Sequence, residues 1–121
     1  MAGNAPLKAK LVSRRGITFK YDVVTSSDIT GEPLDTDGYV ARMQIRDGYG
    51  GDLIADLNTA NGGTVFPGLG ICRIFISATD TEAMTVGSYR YDLEIEDAGG
   101  EVTQLIYGSY QVKDSVTEYE L

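Results

Sequence analysis

The alternation in "ITFKYDVV" (17–24), "YVARMQIR" (39–46), "ICRIFIS" (71–77) and "SYRYDLEIE" (88–96) constrains this chain more than any other feature. In each run apolar side chains recur at every second position, the period of a strand with one face on a core and one in water. Ile17, Phe19, Tyr21 and Val23 are set against Thr18, Lys20 and Asp22. Ala41, Met43 and Ile45 oppose Arg42, Gln44 and Arg46, and Cys72, Ile74 and Ile76 mark the inner side of the third run. Tyr89, Tyr91, Leu93 and Ile95 oppose Arg90, Asp92, Glu94 and Glu96. A helix cannot satisfy such a pattern, because its apolar stripe has a period of about 3.6 residues.

Weaker runs extend the series. "LKAKLV" (7–12) reads as a first strand, with Leu7, Ala9 and Leu11 on one side. "LIADLN" returns the chain after the turn "DGYGG", so 39–46 and 52–58 form an expected hairpin. "TVF" (64–66) is a short strand, and "EVTQLIYGSYQV" (101–112) is the partner of 88–96. Both sides of 101–112 are partly apolar, which suits cover on each face or a bulge near Gly108. The 15 Gly against 3 Pro fit the many tight turns. One segment differs. In "SATDTEAMTVG", Thr79 and Glu82 have capping-box spacing, which predicts one short helical turn at 79–84. Seven or eight short strands at regular spacing in 121 residues predict one all-β domain, a sandwich or a barrel.

Composition removes several function classes. The chain has 18 Asp plus Glu against 10 Lys plus Arg, a net charge of -8. Nucleic-acid binding draws its affinity from cationic contacts to phosphate, so no nucleic-acid partner is expected. The same charge disfavours anionic membranes, and no apolar run approaches the roughly 20 residues a membrane helix needs. The basic cluster Arg14–Arg15, with Lys8, Lys10 and Lys20, is read as a solvated N-terminal region and an assembly contact. No charged n-region precedes an apolar stretch, so no secretory leader is expected and the chain is expected to be made in a cytoplasm.

There is no His, which removes the commonest general base and metal ligand. Cys72 is the single cysteine, so it has no disulfide partner in the chain; within an apolar strand it reads as a buried structural thiol. "GYGG" and "GLG" lack the Lys-Ser/Thr of a phosphate loop and are read as turns. "DTDG" (35–38) has the flavour of a calcium loop but lacks the spaced third ligand and downstream Glu. Asp92, Glu94 and Glu96 are spaced roughly 6.5–7 Å apart along a strand face, a separation that an inverting glycosidase pair also uses. Ion pairing with Arg90, and with Arg42 and Arg46 on a neighbouring strand, is the simpler account. No catalytic residue, metal or cofactor is expected. Of the 8 Tyr, most lie on alternating strand faces; Tyr49, at a Gly-rich hairpin tip, and Tyr119, in the tail, are candidate partner contacts together with Arg14 and Arg15.

Two resemblances sharpen this reading. "GSYRYDL" is similar to the start of strand F in immunoglobulin-like sandwiches, where a Tyr two residues before a Cys ties its hydroxyl to upstream backbone as a tyrosine corner. Tyr89 matches that Tyr, Gly87 ends the preceding turn, and Tyr91 stands where the Cys would be. More widely, "RRGITFKYDV", "TGEPLDTDGYVARMQIRDGYGG", "LNTANGG", "ICRIFISATDTEAM" and "GSYRYDLEIEDAGGEVTQLIYGSYQV" resemble, in that order, a family of small tailed-phage and prophage virion structural proteins. They are also similar to the N-terminal domain of phage upper-baseplate proteins. The first motif departs from the family's "RGDT" as "RRGIT".

The resemblance covers roughly 14–113 and implies an Ig-like antiparallel β-sandwich there, preceded by an N-terminal arm and first strand (1–13) and followed by an acidic tail (114–121). It implies a non-enzymatic virion protein, a tail or baseplate adaptor or peripheral component. Such a protein would be multi-copy and bound to other phage structural proteins. A capsid decoration (cement) protein on the major capsid protein is the alternative. A host-receptor or carbohydrate-binding module is a further one, and a hydrolase using Asp92, Glu94 or Glu96 is the remotest.

Overall fold

The computed structural model describes residues 6–26, 31–48 and 50–115. Nine strands and one short helix follow in chain order: β1 (Leu7–Lys8), β2 (Leu11–Arg14), β3 (Phe19–Val24), β4 (Val40–Arg46), β5 (Leu53–Asn58), β6 (Thr64–Gly68), β7 (Ile71–Ile76), α1 (Ala78–Glu82), β8 (Gly87–Glu96) and β9 (Val102–Lys113). They form two sheets. The larger runs β1-β9-β8-β4-β5 with β2 also on β9, and the smaller runs β3-β7-β6. The two sheets enclose one core, so the fold is a β-sandwich, and its strand order is that of an Ig-like domain.

The core follows the alternation. Ala41, Met43 and Ile45 from β4, Tyr89, Tyr91, Leu93 and Ile95 from β8, and Ile106, Tyr110 and Val112 from β9 face Cys72, Ile74 and Ile76 from β7. Phe19 of β3 meets Tyr110 of β9 edge-to-face at 5.6 Å, which ties the two sheets together on one side. The β4–β5 hairpin and the β8–β9 hairpin are antiparallel, as the spacing predicts. Thr64 of β6 is fully buried and donates to the Ala41 carbonyl at 3.0 Å, a polar bridge between the sheets.

Several local expectations change. The first strand is split, and β1 and β2 pair with β9 in parallel, not antiparallel. Both keep the same register on β9, so the break is confined to Ala9–Lys10. At that break the Ala9 N–H donates to the Tyr107 carbonyl at 2.8 Å, and the Ala9 carbonyl accepts the Tyr91 hydroxyl at 2.6 Å. A Cβ on Gly108 (φ 150°) would stand 2.5 Å from the Ala9 carbonyl oxygen, so only glycine permits this approach. The split therefore makes nine strands where seven or eight were expected.

The bulge falls at Leu105, not at Gly108: Leu93 pairs with Ile106 and Glu94 with Gln104, which leaves Leu105 as the extra residue. The helical turn begins one residue before Thr79. Ser77 is its N-cap, accepting from the Asp80 N–H at 3.2 Å, and Thr81 is buried with its hydroxyl on the Ile17 carbonyl at 2.9 Å. Ile17 and Tyr21 were expected inward, yet both are exposed. Ile17 precedes β3, in a turn closed by its N–H on the Arg14 carbonyl, and β3 is an edge strand whose cover is incomplete. Leu7 is likewise exposed, because β1 lies at the rim of the larger sheet.

Candidate interaction site

The sequence singles out four places, and the fold adds a fifth. The first is the start of β8. Tyr89 is buried and its hydroxyl donates to the Thr85 carbonyl, four residues upstream, at 2.6 Å. A Cβ on Gly87 would meet that hydroxyl at 3.3 Å, so the small residue makes room for the tie. Tyr91 repeats the device over a much longer loop through Ala9. Burial, with a smaller contribution from Tyr21, raises the pKa of the Tyr91 phenol, which keeps it a neutral donor. Deeper in, the Tyr110 hydroxyl and Ser13 Oγ have no full hydrogen bond among the described residues. Burial raises the Tyr110 pKa, and the nearby Ser13 hydroxyl offsets this only partly.

The second place is Cys72. It is buried, and burial, with a smaller push from Asp22, drives its pKa up to about 12. A neutral thiol of this kind is a small apolar filler. Beside it on the surface, Arg73 grips Asp22 of β3 through two hydrogen bonds of 2.8 and 3.1 Å, and this bond lowers the Asp22 pKa.

The third is the basic cluster. Arg14 donates to the Asp114 carbonyl at 3.1 Å. Arg15 donates to the Asp114 carboxylate at 3.1 Å and to the Glu82 carbonyl at 3.0 and 3.2 Å, with the Glu82 carboxylate 3.5 Å away. These two arginines thus fasten the end of α1 and the chain leaving β9 to β2. Tyr49 and Tyr119 lie outside the described residues.

The fourth is the outer face of the larger sheet, where β4, β8 and β9 form an open depression of about 510 Å³. Glu94 and Glu96 are half-buried and share one guanidinium, since Arg42 lies 3.0 Å from each. Those two bonds raise the Arg42 pKa. Asp92 accepts from Gln104 Nε2 at 3.0 Å. The carboxylates that suggest an acid/base pair are therefore each bonded to a cross-strand partner. The expected pairing with Arg42 is present. Arg46 departs from expectation: it binds neutral acceptors and stands opposite Arg90. At the "DTDG" turn, Asp35 accepts from the Asp37 N–H at 3.1 Å, an ordinary turn bond. Among the described residues no group of three His, Cys, Asp or Glu could hold a metal ion.

Sequence reasoning also missed an apolar groove of about 490 Å³ along β5. Leu53, Ile54 and Leu57 line it with Met84 and Tyr89. β5 is an outer strand of the larger sheet, and Leu53 and Ile54 are exposed. The only signal for it in the sequence was the adjacent pair "LI", because whether a strand is an edge depends on pairings far along the chain.

No family model matches the chain. No curated protein matches it. Among solved structures, it is similar to CopC from Methylosinus trichosporium OB3b at 12% identity and a TM-score of 0.47, over 96% of this chain and 91% of that one.

Proposed function

We propose that this chain is a virion structural protein of a tailed phage or prophage, working through protein–protein contacts as a tail- or baseplate-associated adaptor or peripheral component. The sequence resemblance supplies the context. The observation that carries the contact role is the open edge of the larger sheet at β5, where Leu53 and Ile54 are exposed beside an apolar groove. An open edge offers unpaired backbone donors and acceptors to a neighbouring strand, and a groove beside it accepts side chains. Weak single contacts suffice on a particle, because many copies act together.

The hydrolase reading loses support from the outer face. Arg42 binds both Glu94 and Glu96, and Gln104 binds Asp92, so each of the three carboxylates is engaged in a cross-strand contact. The capsid-decoration alternative shares all of these features and differs in copy number alone. Quantifying the chain against the major capsid protein in purified particles tests both. A ring-like number of copies is expected, hundreds of copies would move the protein to the capsid, and its absence from particles would overturn the reading.

A further inference from the structure

The two edges of the larger sheet carry opposite charge. At the β1–β2 edge Lys8 and Lys10 are exposed, with Arg14 and Arg15 next along the rim. At the β5 edge Asp52 and Asp56 are exposed, and Asp56 lines the apolar groove together with the exposed Asp80 of α1. Among the described residues no ion pair uses Lys8, Lys10, Asp52, Asp56 or Asp80. The rims are therefore complementary to each other and not to themselves. Two β5 edges brought together would oppose aspartates, and two β1–β2 edges would oppose lysines; like charges placed so cost affinity.

Strand direction lets the two rims meet. β1 and β2 run parallel to β9, and β9, β8, β4 and β5 alternate in direction, so β1–β2 is antiparallel to β5. A second copy set beside the first in the same orientation lays its β1–β2 edge antiparallel along β5, the favoured sense. The faces then agree. Leu7 is the register partner of the core residue Ile106, so it lies on the inner side of the sheet, yet it is 70% exposed. The groove opens on that inner side, between β5 and α1, over Leu57, Ile76, Met84 and Tyr89. Lys8 and Lys10 alternate to the outer side, where Asp56 lies beside Gln44. The backbone part of such a contact is short, because the Asn61 side chain donates to the Asp56 carbonyl at 2.8 Å and accepts from the Asn58 N–H at 3.0 Å. Side chains must carry it. We propose that the groove between β5 and α1 receives the β1–β2 rim of a second copy of this chain, with Leu7 as the apolar anchor and Lys8 and Lys10 paired to the groove's aspartates.

Segments of the same chain are poorer occupants. β1 lies four strand spacings from β5, about 19 Å, and residues 1–5 span at most about 18 Å even when fully extended. Thr25 and Leu34, on either side of 27–30, both bond Gly70, at the end of β7 remote from Ile76. Residues 116–121 follow a stretch that Arg15 joins to α1 through Asp114 and Glu82, but they would bring Glu118 and Glu120 to a groove rimmed with aspartate. The basic rim of a second copy has the opposite charge. Each copy then offers one rim and one groove, so copies add head to tail and close into a ring or grow as a filament. The inference rests on the reading of the β5 edge as a contact surface and names its occupant.

Sedimentation velocity of the full chain tests it. Self-association that rises with concentration and weakens with added salt is expected. Leu7→Asp, at an exposed position, should weaken it at least about tenfold. Lys8→Glu with Lys10→Glu should abolish it, and so should Asp56→Lys with Asp80→Lys. All four charge reversals in one chain should restore it, an outcome that misfolding cannot imitate. A chain that stays monomeric at low salt, or association indifferent to these residues, would overturn the proposal. So would association that appears only when residues 116–121 are removed, since the groove would then belong to the chain's own tail. Ile54→Glu separates this inference from the broader one. A monomeric wild-type chain whose incorporation into particles is lost on Ile54→Glu overturns the self-contact and leaves the contact role of β5 standing. A monomeric chain whose incorporation Ile54→Glu leaves unchanged overturns both.

Discussion

On the inner face of β8, Tyr89, Tyr91, Leu93 and Ile95 are all buried, while two residues apart on the outer face Asp92, Glu94 and Glu96 keep partial contact with water. The same ten-residue backbone serves both. Inside, stability comes from area removed from water, and the hydroxyl of each of the two tyrosines is satisfied by a backbone carbonyl. Outside, the carboxylates are balanced by Arg42 and Gln104, in solvent that weakens every charge–charge term. One mutation on each side should therefore differ several-fold in cost, although the outer contacts look more elaborate.

The largest effect is expected from Leu93→Ala. Leu93 is fully buried, so the change removes apolar contact and leaves a cavity, at a cost of about 2–5 kcal/mol. A urea denaturation midpoint within error of wild type would break the contrast. Tyr91→Phe comes next. It keeps the ring but leaves the Ala9 carbonyl without its 2.6 Å donor at the tightest point of the sheet, for a loss of about 1–3 kcal/mol. Hydrogen exchange should then quicken in residues 7–14 before the rest of the larger sheet. The smallest effect belongs to Arg42→Ala, at below about 1 kcal/mol, because its pairs with Glu94 and Glu96 are solvent-exposed on the arginine side. A double-mutant cycle with Glu94→Ala sharpens this, and a coupling well above that bound would show the outer face to be structural.

Most of the strands were legible in the sequence, and for a simple reason. Period-two alternation in 39–46, 71–77 and 88–96 reports which side faces a core, whatever that core contains. The same rule misplaced Ile17, Tyr21 and Leu7, which alternate correctly but lie at or beyond a sheet edge where no cover exists. The helical turn was found, but its cap was assigned to Thr79 in place of Ser77, since both residue types can cap and only the backbone at Ser77 is extended. Of the candidate site, the carboxylate row and the part played by Arg42 were readable. The Arg46–Arg90 juxtaposition was not, because those residues are 44 positions apart and meet only when β4 pairs with β8 in one particular register.

The sequence by itself determined an all-β chain with an acidic surface, an unpaired cysteine and no histidine, since these follow from residue types and local periodicity. Tertiary structure alone decided that β1 and β2 run parallel to β9, that Gly108 and Tyr91 lock Ala9 between them, and that two arginines oppose one another above an open depression. The physical reason is that alternation specifies a face but not a neighbour. Which strands pair, and which edges stay open, is settled by packing between segments far apart in the chain.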